Sequence, residues 1–364
     1  MTAHAPAAVD DPPPTPAAPP AAGAWPSAGK AWWCVVMLSI VLMLSQIDRG
    51  IITLLVAPIK RDLHLSDVQI SLLLGPAFIL FYVFMGLPLS RLTDVRSRRV
   101  MIACGLTFWS VMTAMCGAAQ GFWQLFWARV GIGAGESVNG PATYSMLADY
   151  FPRERLPRAL AALNVGFIAG GGFSLVAGGL IIGGLSHVAD VAVPWGVLHS
   201  WQLVFVVVGA PGLLFALLMM TVAEPARRGL MAGGPRPKAA PLREVVRYLV
   251  VNRRLYGCMI GAAAVSSLMA AGVQNWGPTF YQRTYGWAPS RIGVVQGTMA
   301  LFVSPLGLII GTWLCERLHR RRDDTNLLVV VIAYTIAIPF QVLGPLMPSA
   351  WLAIACSESA ESAA

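Results

Sequence analysis

The feature that most constrains the fold is a series of nine apolar segments, each long enough to cross a lipid bilayer. A helix that spans the hydrocarbon core needs about 20 mainly apolar residues. Only 12% of the 364 residues are charged, against about a quarter in a typical soluble domain. We therefore expect an all-α integral membrane protein. The segments are residues 32–56, 69–90, 100–119, 122–148, 159–185, 201–222, 255–281, 292–315 and 326–346.

The basic residues are concentrated in alternate loops between these segments. The loops after the second, fourth, sixth and eighth segments carry most of the arginines, and the loops between them carry few. This is the positive-inside pattern, which places the N-terminus and the basic loops in the cytoplasm. The net charge of +9 is thus a topology signal, and we expect no nucleic-acid partner. The predicted location is the plasma membrane, specifically a bacterial inner membrane, with the lipid bilayer as partner.

The composition divides the chain into five parts. We expect residues 1–31 to form a disordered Pro/Ala-rich cytoplasmic tail and residues 32–222 a six-helix N-terminal half. Residues 223–254 form a cytoplasmic linker, in which "PLREVVRYLVVNRRL" predicts a basic amphipathic helix on the membrane surface. Residues 255–350 form a partial C-terminal half of three helices, and residues 351–364 an aberrant tail.

A short charged pattern follows the second span of each half. The chain reads "SRLTDVRSRRV" from Ser90 and "GTWLCERLHRR" from Gly311, with Asp94 and Glu316 as the equivalent acids. Two halves built from repeats and joined by a cytoplasmic loop are typical of secondary transporters.

At these residues the chain resembles the major facilitator superfamily, whose loop between helices 2 and 3 commonly reads Gly-x-x-x-Asp-Arg-x-Gly-Arg-Arg. Ser90, Val95 and Ser97 depart from that pattern. The segments "IDRGIITLL" and "RVGIGAGESVNGPATYSMLADYFP" resemble the Spinster-type and anion:cation-symporter-type branches. The resemblance implies a helix bundle that works by alternating access, with a conformational latch at Asp94, Arg98, Arg99 and Glu316.

Four ionisable residues lie within the apolar spans: Asp48, Arg49, Arg129 and Glu136. A charge in hydrocarbon is costly, so such residues are functional candidates and face the bundle interior. Arg129 and Glu136 share one helical face but lie roughly 10 Å apart along the axis, so we expect each to contact the first span. The resemblance implies proton sites at the two acids, with Arg49 modulating them and Arg129 as a second cation. The alternative is a static network that only sets helix register.

The two arginines favour an anionic substrate, either a small organic anion or a charged, amphipathic lipid. Each polar residue that we place in the substrate cavity has an interhelical hydrogen bond as its alternative role. These candidates are Gln46, Tyr82, Asn139, Tyr144, Asn164, Gln274, Asn275, Trp276, Tyr281 and Gln296.

The resemblance implies a proton-coupled transporter. The sequence does not predict an enzyme, because no catalytic, metal-binding or cofactor-binding motif is present. The glycines of the fifth span permit close helix packing, but the Gly-Pro step of an antiporter motif is missing, so symport and antiport both remain open. The resemblance implies twelve helices, whereas nine precede "SESAESAA". We therefore expect a truncated or frameshifted transporter. An inactive fragment, a sensor or scaffold without flux, and completion of the bundle by another chain are the alternatives, and the oligomeric state is open.

Overall fold

The computed structural model describes residues 25–188, 190–193, 196–228, 242–319 and 325–363. Within these ranges the chain is almost entirely helical, as the apolar segments predict. A single β-hairpin of the described part pairs β1 (Val191–Val193) with β2 (Gly196–Leu198), Val191 opposite Leu198. The α-helices are α1 (Ala28–Leu54), α2 (Val56–Asp62), α3 (Asp67–Leu74), α4 (Pro76–Thr93), α5 (Arg98–Gly117), α6 (Phe122–Glu136), α7 (Asn139–Tyr150), α8 (Leu156–Leu185), α9 (Ser200–Met219), α10 (Leu242–Val251), α11 (Arg253–Tyr285), α12 (Pro289–His319), α13 (Thr325–Leu343) and α14 (Ala350–Ala363).

Eight helical segments of the described chain are long and apolar enough to cross a membrane. They correspond to eight of the nine predicted spans. The remaining one, residues 122–148, is divided into α6 and α7, each too short to span alone. Ser137 and Val138 between them keep helical backbone angles, with φ and ψ of −62° and −21° for Ser137. The chain therefore continues in a nearly helical path, and the predicted span differs from the structure only in being divided by two turn residues.

The helices α1–α9, which we call the first half, enclose the main apolar core. Helix α1 is central and packs against α8 and α9, while α5 packs against α6 and α9, and α4 against α6. Trp109, Trp201 and Phe205 are among its largest fully buried side chains. Close packing on several sides of α1 explains how this helix can bury the charged residue Asp48, which is 4% exposed.

Helices α11–α14, the second half, meet the first half mainly where α12 packs against α8. Glycines on both helices face each other there. A Cβ atom added to Gly172 would lie 2.8 Å from the carbonyl oxygen of Gly297, and one on Gly293 would lie 2.6 Å from that of Leu175. The two backbones are thus nearly in contact, as the predicted role of the fifth-span glycines requires.

The structure differs from the prediction at both ends of the described chain and agrees with it in the linker. Helix α1 begins at Ala28, before residue 32, and the rest of the predicted tail, residues 1–24, lies outside the described residues, as do residues 229–241 of the linker. The predicted amphipathic helix is present as α10. The aberrant tail at residues 351–364 is corrected, because residues 350–363 form helix α14. Ala353 and Ile354 anchor it in an apolar cluster with Tyr281.

Candidate functional site

The four predicted intramembrane charges lie together between α1 and α6. Asp48, Arg129 and Glu136 are at most 4% exposed. Arg49 is different, since 37% of its side chain is accessible. The site therefore combines three buried groups with one cation that solvent or a ligand can reach.

Glu136 is bound by residues of α1. Its Oε2 atom accepts hydrogen bonds from Arg49 Nη2 at 2.7 Å and Nε at 3.0 Å, and from the Ser45 hydroxyl at 2.6 Å. Its Oε1 atom is buried and has no hydrogen-bond partner among the described residues. Three donors thus converge on one carboxylate oxygen while the other is unsatisfied, and loss of Arg49 would leave a buried charge poorly compensated.

Arg129 contacts α1 in a different way from the one the sequence suggests. Its Nη1 atom donates to the backbone carbonyl of Asp48 and its Nε atom to that of Leu73, both at 3.3 Å. In the described part of the chain, no carboxylate lies within ion-pair distance of Arg129. Asp48 therefore meets Arg129 through its main chain and not its side chain, and its Oδ1 atom is buried without a described hydrogen-bond partner.

Aromatic rings of α4 lie against the two guanidinium groups. The ring centroid of Phe78 is 4.6 Å from the Arg49 guanidinium carbon and 5.4 Å from that of Arg129, and Tyr82 lies 5.2 Å from Arg49. A ring face attracts a cation, so Phe78 stabilises both like charges. A Cβ on Gly133 would lie 2.4 Å from the Phe78 carbonyl oxygen. This close approach of α6 to α4 is what brings the ring to the site.

Some predicted cavity residues of the first half are accessible, and one is buried in a structural contact. Gln46 and Tyr82 are half-buried, and Tyr144 and Asn164 are exposed. Asn139 is buried and accepts a hydrogen bond from Thr143 at 3.1 Å. Asn139 therefore already serves a structural contact within α7.

The same division holds for the candidates of the second half. Asn275, Trp276 and Gln296 are half-buried and Gln274 is exposed. The Oε1 atom of Gln296 is buried without a hydrogen-bond partner in the described chain. Tyr281 is 2% exposed, and its hydroxyl lies 3.2 Å from that of Ser357. Tyr281 thus belongs to the packing between α11 and α14 rather than to an open surface.

A second charged cluster joins the starts of α5 and the linker, and it includes two acids that sequence reasoning missed. Arg98 is 1% exposed and its guanidinium binds Asp149 at 2.5 Å and Glu224 at 3.0 Å. Glu224 also accepts hydrogen bonds from the backbone amides of Arg98 and Arg99 and from the Ser97 hydroxyl. A single acid beside arginines at a span end is the signal that could have identified Asp149 and Glu224, as it did Asp94.

The predicted latch residues are placed unequally in this cluster. Arg98 and Arg99 belong to it, and Arg99 donates to the carbonyl oxygen of Val222 at 3.2 Å. The Asp94 side chain is exposed, while its backbone carbonyl accepts a hydrogen bond from Arg227 and its amide donates to the carbonyl oxygen of Arg91. Helix α12 contains Glu316, but its side chain lies outside the described residues. The acids that bind Arg98 are therefore not the acid that the motif highlighted.

The fold is that of an all-α, multi-pass membrane protein. The sequence pattern of the Major Facilitator Superfamily matches residues 38–360. The chain belongs to the Major Facilitator Superfamily. This confirms the predicted resemblance and the prediction of a transporter rather than an enzyme.

Individual proteins similar to this chain support the same family. An MFS-type efflux pump of Mycolicibacterium smegmatis is 29% identical over 86% of this chain and 69% of its own length. Protein spinster homolog 1 of Xenopus tropicalis is 25% identical over 85% of this chain but only 59% of its own length. A galacturonate transporter of Dickeya chrysanthemi is 25% identical over 91% of this chain and 96% of its own length.

A solved structure agrees with the fold. The crystal structure of a bacterial homologue of the human lysosomal transporter Spinster, inward-facing and unoccupied, superposes with a TM-score of 0.78 at 29% identity. The match covers 93% of this chain and 73% of that one.

Proposed function

We propose that this chain is a proton-coupled secondary transporter that carries a small organic anion by alternating access. The observation that carries the proposal is the ion pair between the accessible Arg49 and the buried Glu136. Arg49 is the cation of the site that a ligand can approach, and a guanidinium suits the geometry of a carboxylate. An anion that binds Arg49 competes with Glu136 for the same donors.

This competition links the substrate to a proton. When Arg49 turns toward an anion, Glu136 loses two of its three hydrogen bonds while it stays buried. A buried carboxylate without donors is costly, so Glu136 gains most from accepting a proton at that moment. Asp48, with a buried and unpartnered Oδ1 atom, is a second candidate proton site. The free-energy cost of leaving a buried carboxylate without hydrogen-bond donors thus couples binding of the anion to binding of a proton.

For the substrate class we favour a hydroxylated carboxylate. Two observations support it: the similarity to the galacturonate transporter, and the half-buried polar side chains of Gln46, Asn275 and Gln296. A charged lipid is the second candidate, supported by the aromatic rings of Phe78 and Tyr82 beside Arg49. The two candidate substrates differ in how much apolar surface the binding site must cover.

The test is uptake into proteoliposomes under an imposed pH gradient, with radiolabelled galacturonate in one arm and a lysophospholipid in the other. We expect gradient-driven galacturonate uptake that Glu136→Gln lowers at least about tenfold, since loss of one positioned proton acceptor costs about 10²–10⁴ in proton-transfer steps. Glu154→Gln, which changes an exposed acid, is the matched control and should transport normally. Gradient-driven uptake unchanged by Glu136→Gln contradicts the coupling role, and binding without flux supports a sensor.

A further inference from the structure

We propose that Asp67 and Arg283, together with the apolar cluster around Leu54, form a gate that closes the bundle at the end opposite the Arg98 cluster. This inference rests on the alternating access proposed above. Helices α3 and α4 run from Asp67 to Thr93, so Asp67 and Arg98 lie at opposite ends of the first half. The gate therefore concerns the end away from the basic loops.

The ion pair joins the two halves directly. Arg283 Nη2 lies 2.7 Å from Asp67 Oδ1, and Arg283 Nη1 lies 3.4 Å from Oδ2. Asp67 begins α3 in the first half, and Arg283 lies in the last turn of α11 in the second. Every other ion pair found in the described residues lies within the first half or between it and the linker. In the described part, Asp67–Arg283 is thus the charged contact between the halves.

An apolar closure lies beside this pair. Leu54, at the end of α1, is 0% exposed and belongs to one cluster with Tyr281 of α11 and Ile292 of α12. Gln282 also donates to the Leu54 carbonyl oxygen at 3.5 Å. Buried apolar side chains from both halves exclude water at this end, while the adjacent ion pair sets how the halves meet.

The glycine contact between α8 and α12 supports closure at the same end. Gly179 lies in the last third of α8, and a Cβ on it would lie 2.6 Å from the carbonyl oxygen of Ser290, near the start of α12. Toward the other end, a Cβ on Gly166 or Gly170 of α8 would meet α1, at Ser39 and Met43, and not the second half. Close contact between α8 and α12 thus extends from Gly172, near the middle of α8, toward the end that carries Asp67.

The pair is built to open at low cost. Lys60 of the same half lies 2.7 Å from Asp67 Oδ1, so Asp67 keeps a cation when Arg283 moves away. The side chain of Arg283 is 51% exposed and can be hydrated. Exposed ion pairs contribute little and are screened by salt. Such a contact biases the closed state without locking it.

The test uses Leu54→Cys as a reporter in purified protein in lipid nanodiscs. The labelling rate by a membrane-impermeant methanethiosulfonate is measured, and the parent without Cys at 54 corrects for the native cysteines. We expect Asp67→Asn and Arg283→Gln each to raise this rate about 1.5- to 5-fold, the range for an exposed ion pair. Asp67→Glu should keep the parent rate, and added salt should raise the parent rate but not that of Asp67→Asn.

The matched control is Arg61→Gln, which removes an exposed ion pair with Asp62 inside the first half and should leave the rate unchanged. Parent-like rates in both Asp67→Asn and Arg283→Gln, in samples that elute as monodisperse protein, would overturn the gate. Equal acceleration by Arg61→Gln would do the same, because the effect would then be general. The readout needs neither substrate nor flux, so the gate can fail while proton-coupled uptake stands, and the reverse.

Discussion

At the scale of single residues, two arginines in membrane-spanning segments have different environments and therefore different potential. Arg49 binds a carboxylate and remains partly accessible, whereas Arg129 is 1% exposed and donates only to two backbone carbonyls at 3.3 Å among its described bonds. A guanidinium held by neutral acceptors and the ring of Phe78 is less firmly bound than one in an ion pair.

Glu224 allows a pH-dependence prediction outside the membrane-spanning helices. Partial burial raises the pKa of Glu224, but hydrogen bonds from the Arg99 amide, Ser97 and Arg98 outweigh it, so the pKa lies below its ordinary value. A lowered folded-state pKa stabilises the fold above the ordinary value, about 4.3, and this stability is lost as pH falls through the folded-state pKa.

We therefore expect Glu224→Gln to lower the free energy of unfolding at pH 7 by about 1.5–3 kcal/mol, the range for hydrogen bonds to a charged group. Between pH 5 and pH 3, the thermal midpoint of the parent should fall more than that of Glu224→Gln. Thermal unfolding in detergent at each pH measures both. Glu154→Gln should follow the parent, and parallel curves for parent and Glu224→Gln would exclude a role for this carboxylate.

At the scale of elements, contact between the halves depends on glycines of α8 and α12, which have no side chain. The glycines on α8 and α12 let two backbones approach to a distance that any side chain would prevent. In a membrane, helix association depends on such packing because lipid removes the hydrophobic driving force between helices. Two glycines of α8 differ sharply in this respect, since Gly172 faces α12 whereas nothing lies within 4 Å of a Cβ on Gly184.

Gly172→Ala should consequently destabilise the protein, and Gly184→Ala should not. The new methyl group at 172 would lie 2.8 Å from backbone and side-chain atoms of α12, and overpacking of this kind costs about 1–3 kcal/mol. Thermal unfolding of both variants in the same detergent measures the difference. Equal midpoints would show that α8 and α12 do not pack as closely as described.

At the scale of the whole molecule, the basic loops predict how the bundle is oriented. The positive-inside pattern places the loop around Val95 in the cytoplasm and the loop around His187 outside, and both residues are exposed. In intact cells, an impermeant maleimide should label His187→Cys and spare Val95→Cys until the cells are permeabilised. The reverse pattern would invert the orientation, and with it the side that the proposed gate closes.

Features that depend on local composition could be predicted from the sequence, whereas features that depend on contacts between distant residues could not. Eight predicted spans and the helix α10 depend on local composition, and the structure contains them. The break between α6 and α7 and the helical residues 350–363 were missed because they depend on packing rather than hydropathy. Asp149 and Glu224 each lie beside arginines at a span end, which is a local signal, but their shared contact with Arg98 depends on packing.

What the sequence by itself determined is the class of protein and the residues to examine, because apolar length and a charge in hydrocarbon have a free-energy cost that neighbours in the chain already set. What only the tertiary structure decided is which charges meet. Arg49 pairs with Glu136, 87 residues away, and Arg283 with Asp67, 216 residues away. Which partners meet across such separations depends on how α1, α3, α6 and α11 pack. From the sequence alone, two acids of similar size are equally plausible partners for the same arginine.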